Sequence, residues 1–202
     1  MGKHFLATIS NESDHLFGVR FICLFFNRLL DHRVTLLHIC SLDSTKKAPF
    51  LSGEAPNALP PGQVPAEAKK SITRAQKLLR DHNVPIDHVF TKTLVKKYGK
   101  VKDILSESAR GHYDAIVLGR RASYALQWMF ERPADDTFQA LIREHSCVSP
   151  LWICPDVNPQ SKNVLLCIDG SENGYRAVSH VGSILSSQSQ HTISLLHVEN
   201  SV

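Results

Sequence analysis

Short apolar runs alternate with longer amphipathic segments along most of the chain. The apolar runs are rich in β-branched and aliphatic residues, and their length is typical of β-strands. They lie at residues 4–9, 33–40, 86–94, 114–119 and 150–154. The segments between them carry apolar residues at helical spacing, which predicts helices at 16–26, 66–83, 101–110 and around 136–145. This alternation predicts an α/β fold, an open parallel sheet with helices on both faces.

Two of these segments are more apolar than elements that keep one face in water. Apolar residues cover most of the circumference of the helix at 16–26, so we expect the C-terminal segment or a partner subunit to pack over it. The run "DAIVLG" (114–119) is continuously apolar and ends in glycine, which is typical of a strand buried on both faces. In sheets of this kind, ligands bind at the carboxyl ends of the strands, where the strand order reverses.

An internal repeat links the two ends of the chain. The stretches "RVTLLHI" and "TISLLHV" are near copies, and their histidines, His38 and His197, are 159 positions apart. The same shift aligns Ser10 of "LATISNES" with Asp169 of "LLCIDGSE", without a gap. The two stretches therefore have the pattern of one strand–helix–strand unit that occurs twice.

The repeat predicts a complete domain at residues 1–156 and a partial second copy at 162–202. A unit of about 40 residues rarely buries enough apolar surface to fold alone, and its strands would have open edges. We therefore expect it to dock on the first domain, to associate with another chain or to be disordered. The apolar first helix favours docking or association, and we predict a homo-oligomer, in the simplest case a dimer. A truncated product of a parent with a full second domain is the alternative.

Composition narrows the classes of function. Hydrophobic residues make up 43% and charged residues 21% of the 202 residues, as in ordinary globular proteins. The net charge is +4 and the basic residues are scattered, which argues against nucleic acid as a partner. The five cysteines form no CxxC pair and four lie in apolar stretches, so we expect buried, reduced thiols. We recognise no signal peptide and no membrane-spanning run, and we expect a cytoplasmic protein.

The succession "LLHI", "DAIVLGRRA" and "PLWIC", followed by the restart "LLCIDGSENG", resembles the universal stress protein family, and in particular its tandem members. The resemblance covers residues 3–156 as a whole domain and 162–202 as the front half of another. It implies a flavodoxin-like or adenine-nucleotide α-hydrolase-like fold. It also implies a domain that is often dimeric and a family with ATP-binding and non-binding branches.

The ATP-binding members imply a set of site residues. In them an Asp ends the first strand, backbone at the end of the second strand reaches the base, and a loop after strand four wraps the phosphates. That loop has the form Gly, two residues, Gly, nine residues, Gly, Ser/Thr, because a Cβ would keep phosphate oxygens away from backbone N–H groups. The matching positions here are Ser10, Ile39, Leu118, Gly119, Arg120, Ala122 and Arg132, with Asp169 as the counterpart of Ser10 in the second copy.

Only part of that set is intact. Gly119 matches the first glycine, and Ile39 can serve through its backbone. Ser10 replaces the Asp, Ala122 replaces the second glycine, and Arg132-Pro133 replaces the final Gly-Ser/Thr. Proline also removes one N–H donor. The resemblance therefore implies a vestigial or weak nucleotide site.

Two functions of different classes follow. The first is a non-catalytic stress-response or regulatory protein that acts through oligomerisation, alone or as an accessory of a larger complex, without a cofactor. The alternative is an ATP- or adenine-nucleotide-binding module with slow ATP turnover, in which Gly119 and the cationic Arg120, Arg121 and Arg132 grip the phosphates. A composite site, with Asp169 of one chain and Gly119 of another, is a third arrangement.

No metal or catalytic centre is predicted. His38 and His197 have no second ligand at a useful spacing, so we interpret both as core histidines with satisfied ring nitrogens. The chain has no nucleophile elbow, P-loop lysine or HExxH motif.

Overall fold

The computed structural model describes residues 2–41, 58–119, 149–154 and 157–197. The strands are β1 (His4–Ile9), β2 (Arg33–Cys40), β3 (Val89–Val95), β4 (Ala115–Gly119), β5 (Leu151–Cys154), β6 (Asn163–Ile168) and β7 (Thr192–His197). The helices are α1 (Phe17–Phe25), α2 (Ala66–Asp81), α3 (Lys100–Gly111) and α4 (Glu172–Leu185), with 3-10 turns at Pro61–Gln63 and Ile86–His88. The helix expected around 136–145 lies outside the described residues.

The chain divides into two compact units. Unit 1 consists of Met1–Cys23 and Leu29–Val157, and unit 2 consists of Leu24–Arg28 and Asn158–Val202. Unit 1 contains β1 to β5, whereas unit 2 contains β6, β7 and α4. The predicted domain boundaries of 1–156 and 162–202 rest on the sequence repeat and stay a prediction.

Unit 1 contains a five-stranded parallel sheet in the order β3-β2-β1-β4-β5. The α/β class with a parallel sheet is therefore confirmed. β4 lies between β1 and β5, and its residues Ala115 to Leu118 are buried, as its continuous apolar sequence predicts.

Helices cover both faces of this sheet. On one face, α3 contributes Ile104 to an apolar cluster with Leu6, Leu37, Leu94, Tyr113, Ile116 and Leu118. On the other face, α1 passes close to Val117, and its Phe21 ring lies 5.9 Å from the Trp152 ring, centre to centre. Alternate residues of β4 therefore face different helices, as the pleat of a strand requires.

Local sequence explains where several elements begin. α2 starts directly after Pro65, a residue that has no N–H to leave unpaired in the first turn. The predicted strand at 86–94 starts three residues too early, because Pro85 leads into the 3-10 turn Ile86–His88 before β3 begins at Val89. The predicted bounds of β1 and β2 agree with the structure.

Unit 2 is a strand–helix–strand unit, with β6 parallel to β7. α4 starts after Ser171, whose hydroxyl accepts a hydrogen bond from the Gly174 N–H at 3.1 Å. The ring of His191 stacks on that of Phe25 at 4.2 Å, and its Nε2 lies 2.7 Å from the Phe25 carbonyl oxygen. Two sequence expectations are wrong in this unit, since Cys167 and His197 are both exposed. Cys23, Cys40 and Cys154 are buried thiols in unit 1, as expected.

The strand pairing of the two units has the same register. β1 and β2 pair from His4↔Arg33 to Ile9↔His38, and β6 and β7 pair from Asn163↔Thr192 to Ile168↔His197. Each residue of the second pair of strands lies 159 positions after its counterpart in the first. The structural register and the sequence repeat therefore have the same offset.

Candidate functional site

A cavity lies where the strand order of unit 1 reverses. From β1 the chain runs outward through β2 to β3, and it then returns to β4 and β5 on the other side of β1. At such a reversal the connections leave the central strands in opposite directions, which opens a crevice at the carboxyl edge of the sheet. The cavity there has a volume of about 250 Å³. The described residues that line it are Thr8, Ile9, Ser10, Asn11, His15, Leu37, His38, Ile39, Lys100, Ile104, Leu118, Gly119 and Ile153.

The loop after β1 forms one wall of this pocket and is held by hydrogen bonds. The Ser10 hydroxyl accepts from the Glu12 N–H at 3.3 Å, and the His15 N–H donates to the Glu12 carbonyl at 3.2 Å. The His15 ring lies 2.7 Å from the Glu12 carboxylate. From α2, the Ser71 hydroxyl donates to the Asn11 carbonyl at 2.9 Å. These groups of the loop are thus bonded within the protein.

His38 is buried at the end of β2 and contacts the same loop. Its Nε2 lies 2.7 Å from Asn11 Oδ1. Because an amide oxygen can only accept, Nε2 carries the proton and Nδ1 keeps its lone pair. Nδ1 has no hydrogen-bond partner among the described residues, so the expectation of two satisfied ring nitrogens is wrong for this histidine. Burial, and then the charge of Lys100, lower the pKa of His38 and favour the neutral ring.

Lys100 brings a positive charge to the pocket. It is the first residue of α3 and follows Gly99, whose φ of 111° is a conformation that glycine adopts without strain. The N-terminal N–H groups of a helix add partial positive charge. Among the described lining residues there is no carboxylate. The electrostatics of the described wall therefore favour an anionic group over a cationic one.

Gly119 ends β4 where α1 crosses the sheet. A Cβ atom added at Gly119 would lie 2.9 Å from the backbone nitrogen of Gly18 and 3.3 Å from the Cβ of Phe17. One added at Gly18 would lie 3.2 Å from the Gly119 nitrogen and 3.2 Å from a methyl carbon of Val117. Two glycines thus allow the helix and the strand to approach closely. Packing alone is a sufficient reason for glycine at position 119.

The structure brings part of the sequence-derived site together. Ser10, Ile39, Leu118 and Gly119 line the pocket, although they come from three different strands or strand ends. Arg120, Ala122 and Arg132 lie outside the described residues, and so does Arg121. The replacement of the family's glycine loop therefore rests on the sequence.

Asp169, the counterpart of Ser10, lies in unit 2 and is exposed. Its Oδ1 accepts a hydrogen bond from the N–H of Ser171, two residues later, at 2.9 Å. Ser10 makes the same bond to Glu12, also two residues later. Hydrogen bonds from the Ser171 side chain and backbone lower the pKa of Asp169. Both residues therefore stabilise a turn after a strand, a role that needs no ligand.

Several pocket residues were missed by sequence reasoning. Asn11 and His15 lie in the loop after β1. The rule that ligands bind at the carboxyl ends of strands applies to this loop and could have identified both residues. Lys100 had a weaker signal, a glycine–lysine pair before an amphipathic helix. Within the described ranges no cluster of three or more His, Cys, Asp or Glu side chains could hold a metal ion. None of the described helices has both the length and the apolar character needed to span a membrane.

Mild acid is expected to destabilise the fold. Burial is the leading cause that lowers the pKa values of His4, His32 and His38 below the ordinary 6.5. Below about pH 6.5 the unfolded chain binds protons that the folded chain resists, so stability present above that pH is lost as the pH falls. We expect the melting temperature to decrease between about pH 7.5 and about pH 5.5. The decrease should be smaller in His38→Gln and unchanged in His197→Gln, an exposed control. A melting temperature that stays constant or rises contradicts this.

Comparisons with known proteins find similarity at the level of structure. No family model and no curated protein matches the sequence. One similar crystal structure is that of a protein from the universal stress protein family from Burkholderia pseudomallei, whose sequence is 10% identical to this chain. The match covers 76% of this chain and 96% of that one, with a TM-score of 0.49. A universal stress protein from Archaeoglobus fulgidus is 18% identical, with 75% and 93% covered and a TM-score of 0.48. Both of these structures are described as universal stress proteins.

Proposed function

We propose that this chain is a non-catalytic regulatory protein of the universal-stress type, cytoplasmic, which acts through association and whose nucleotide site is degenerate. The observation that carries the proposal is the state of the pocket at the sheet edge. Most of its described polar side chains are already bonded to the protein, so few remain to recognise a ligand.

The described hydroxyl groups of the pocket are examples of polar side chains that are already hydrogen-bonded to the protein. The Thr8 hydroxyl donates to the Val117 carbonyl at 3.4 Å, and the Ser10 hydroxyl accepts from the Glu12 N–H. In the family's nucleotide binders the position of Ser10 is an Asp that contacts the nucleoside. A serine here has no charge, and its oxygen already serves the turn. The strongest nucleoside contact that the resemblance implies is therefore replaced by a weaker one.

The described side chains of the same pocket also support the proposal that the protein is non-catalytic. Nucleophilic catalysis needs a hydroxyl or thiol beside a base that can take its proton. Burial lowers the pKa of His38 and favours its neutral ring, but its Nε2–H donates to Asn11 and neither described pocket hydroxyl is bonded to the ring. The His15 ring is held by Glu12. Among the described residues, these groups support binding or structure rather than bond cleavage.

The alternative function is weak binding of ATP or a related anion. Lys100 and the carboxylate-free described wall favour a negatively charged ligand, and Gly119 lies at the position of the family's first phosphate-loop glycine. Arg120 and Arg132 would then supply the charge-assisted hydrogen bonds that the missing glycines cannot. Cavities that hold drug-sized ligands have volumes of roughly 300–1,000 Å³, so the cavity of about 250 Å³ fits only a part of ATP.

Thermal unfolding with added ATP and Mg²⁺ distinguishes the two functions. For a degenerate site we expect no increase in melting temperature at millimolar ATP, beyond that with Mg²⁺ and inorganic triphosphate. A ligand at 100 times its Kd stabilises the folded state by about 2.7 kcal/mol, which is easily detected. A clear increase with ATP that is lost in Lys100→Gln would reject the degenerate site and establish the alternative. Lys102→Gln, two positions along α3 and outside the described pocket lining, is the matched control.

A further inference from the structure

A short basic loop joins β3 to α3 in unit 1. We call residues 96–102, with the sequence KKYGKVK, the lysine loop. Its lysines are all exposed, namely Lys96, Lys97, Lys100 and Lys102. Between residues 89 and 106 the sequence has one carboxylate, that of Asp103, which is buried. Among the described residues, no carboxylate lies within ion-pair distance of these four ammonium groups. The lysine loop therefore presents positive charges that the described part of the chain does not pair.

Hydrogen bonds to Asp103 hold the backbone of the lysine loop in place. The Asp103 carboxylate accepts from the Lys97 N–H at 2.9 Å and from the Tyr98 N–H at 3.2 Å. The Lys96 N–H donates to the Cys40 carbonyl oxygen at 2.8 Å. These bonds use backbone donors and leave the ammonium groups outside them. A loop held in this way costs a binding partner less conformational entropy than a loop that must be ordered on binding.

Two of the lysines lie where helix electrostatics disfavour them. Lys100 and Lys102 are in the first turn of α3, and Gly99 before them provides no side-chain cap. The N-terminus of a helix carries partial positive charge and disfavours nearby cations. The four ammonium groups also repel one another. Departures from local rules of this kind occur mainly at functional sites. An anionic partner relieves both repulsions, so the lysine loop favours an acidic partner over a neutral one.

An exposed aromatic side chain lies among the lysines. Tyr98 is 64% exposed, and the Lys97 ammonium group lies 4.9 Å from the centre of its ring. Protein interfaces are enriched in tyrosine, and an aromatic anchor there is typically surrounded by a polar rim. A nucleic acid would need a longer basic track, and a lipid surface would need several exposed apolar side chains. The neighbouring Val95 and Val101 are partly buried. The combination therefore fits a protein partner best.

We propose that the lysine loop is an interaction surface for an acidic segment of another protein. Carboxylates of that segment pair with Lys96, Lys97 and Lys102, and an apolar side chain of the segment packs on the Tyr98 ring. The proposal rests on the proposed function, because it names the partner chemistry and the surface for the association stated there. The surface is separate from the pocket, since Lys100 is the one loop residue among the described pocket lining.

Binding of a fluorescein-labelled oligoglutamate peptide with a central leucine tests the proposal, measured on the full chain by fluorescence polarisation. Replacing Lys96 and Lys97 together with glutamate should weaken binding about tenfold or more, because attraction becomes repulsion. Tyr98→Ala, which keeps every charge, should weaken it about fivefold. The control replaces Lys69 and Lys70, an exposed lysine pair of α2, with glutamate. It changes the net charge equally and should keep the affinity within about twofold.

Carbodiimide cross-linking, which joins peptide carboxylates to lysine amines, gives a second measurement. Peptide mass spectrometry should find the cross-links at Lys96, Lys97 or Lys102. The proposal is overturned if the unaltered chain does not bind the peptide, if both double variants lose affinity equally, or if the cross-links lie elsewhere. Tighter binding of an oligothymidylate, or of phosphatidylcholine vesicles with phosphatidylserine, also overturns it. The degenerate nucleotide site is tested separately by ATP and Lys100→Gln, so the two proposals fail by different results.

Discussion

Replacing Glu107 with alanine is expected to lower the free energy of unfolding by about 2–4 kcal/mol. Glu107 lies on α3 and is only 4% exposed. Its Oε1 accepts hydrogen bonds from the buried Tyr113 hydroxyl at 2.9 Å and from the Lys92 ammonium group of β3. Burial alone would lower the pKa of Lys92, but the hydrogen bond that Lys92 donates to Glu107, together with the charge of Glu107 and the interactions with Tyr113, outweighs burial, and the pKa of Lys92 is raised. Alanine removes the acceptor that joins α3 to β3.

The expected decrease in the free energy of unfolding follows from the two hydrogen bonds that Glu107 accepts. A hydrogen bond to a charged group contributes about 1.5–3 kcal/mol. The side chain of Lys92 is 43% exposed, so solvent reduces its share of the total. Denaturant unfolding of Glu107→Ala should show this loss, and Glu107→Gln, which keeps a neutral acceptor, should lose less. Glu67→Ala is an exposed control in the first turn of α2 and should change stability little. Equal stability of Glu107→Ala and the unaltered chain would contradict the bonded cluster.

The buried carboxylate shows a limit of periodicity. Residues 101–110 have an apolar stripe that predicts a helix, and α3 forms there with one more residue at each end. The pattern assigns Glu107 to the polar residues, and polar residues usually face solvent. Its burial depends on Lys92 and Tyr113, which are neighbours only after the sheet has formed. A contact between side chains of different elements is not contained in the spacing along either element.

The strands were predictable where local pattern and tertiary environment agree. β1 and β2 are apolar runs bounded by polar residues, and both were predicted to the residue. β3 was not, since Ile86 is apolar but belongs to a 3-10 turn set by Pro85. Apolar character alone did not reveal that Ile86 is exposed. Proline geometry decided this boundary.

The repeat shows that identical local patterns can have different environments. His38 and His197 occupy matching register positions on β2 and β7, yet His38 is buried and His197 is exposed. Unit 1 surrounds β2 with β1, β3 and α2, whereas β7 of unit 2 pairs with β6. Burial is therefore a property of what packs around a strand, which the strand sequence alone does not determine. The interpretation of His197 as a core residue failed for this reason.

The pocket was predictable in position and only partly in composition. The rule that ligands bind at strand ends predicts a site at the carboxyl edge of the sheet, and Ser10, Ile39, Leu118 and Gly119 line a cavity there, while their role in binding stays a prediction. The bond between His38 and Asn11 joins residues that are 27 positions apart and have no common motif. Hydrogen bonds of this kind require the fold, which explains why they were not anticipated.

Replacing Gly119 with alanine is expected to lower the free energy of unfolding by about 1–3 kcal/mol. The new Cβ would lie 2.9 Å from the Gly18 backbone nitrogen, a distance that real Cβ atoms essentially never show. Because the obstacle is backbone rather than the end of a flexible side chain, α1 or β4 has to shift. Gly182→Ala is the control, since a Cβ in that exposed position of α4 meets nothing within 4 Å. It should stabilise the protein slightly, because alanine favours a helix over glycine by about 0.5–1 kcal/mol.

The same variant separates the two reasons for a glycine at the end of β4. If the residue serves packing, Gly119→Ala loses stability in urea or thermal unfolding, and the loss is equal with and without ATP. If it serves phosphate binding, stability without ATP is unchanged and any stabilisation by ATP disappears. Gly18→Ala provides a graded comparison, because its added Cβ would approach the Gly119 nitrogen and Val117 less closely, at 3.2 Å. A smaller loss for Gly18→Ala than for Gly119→Ala is expected, and an unaltered stability of Gly119→Ala would contradict the close approach of α1 and β4.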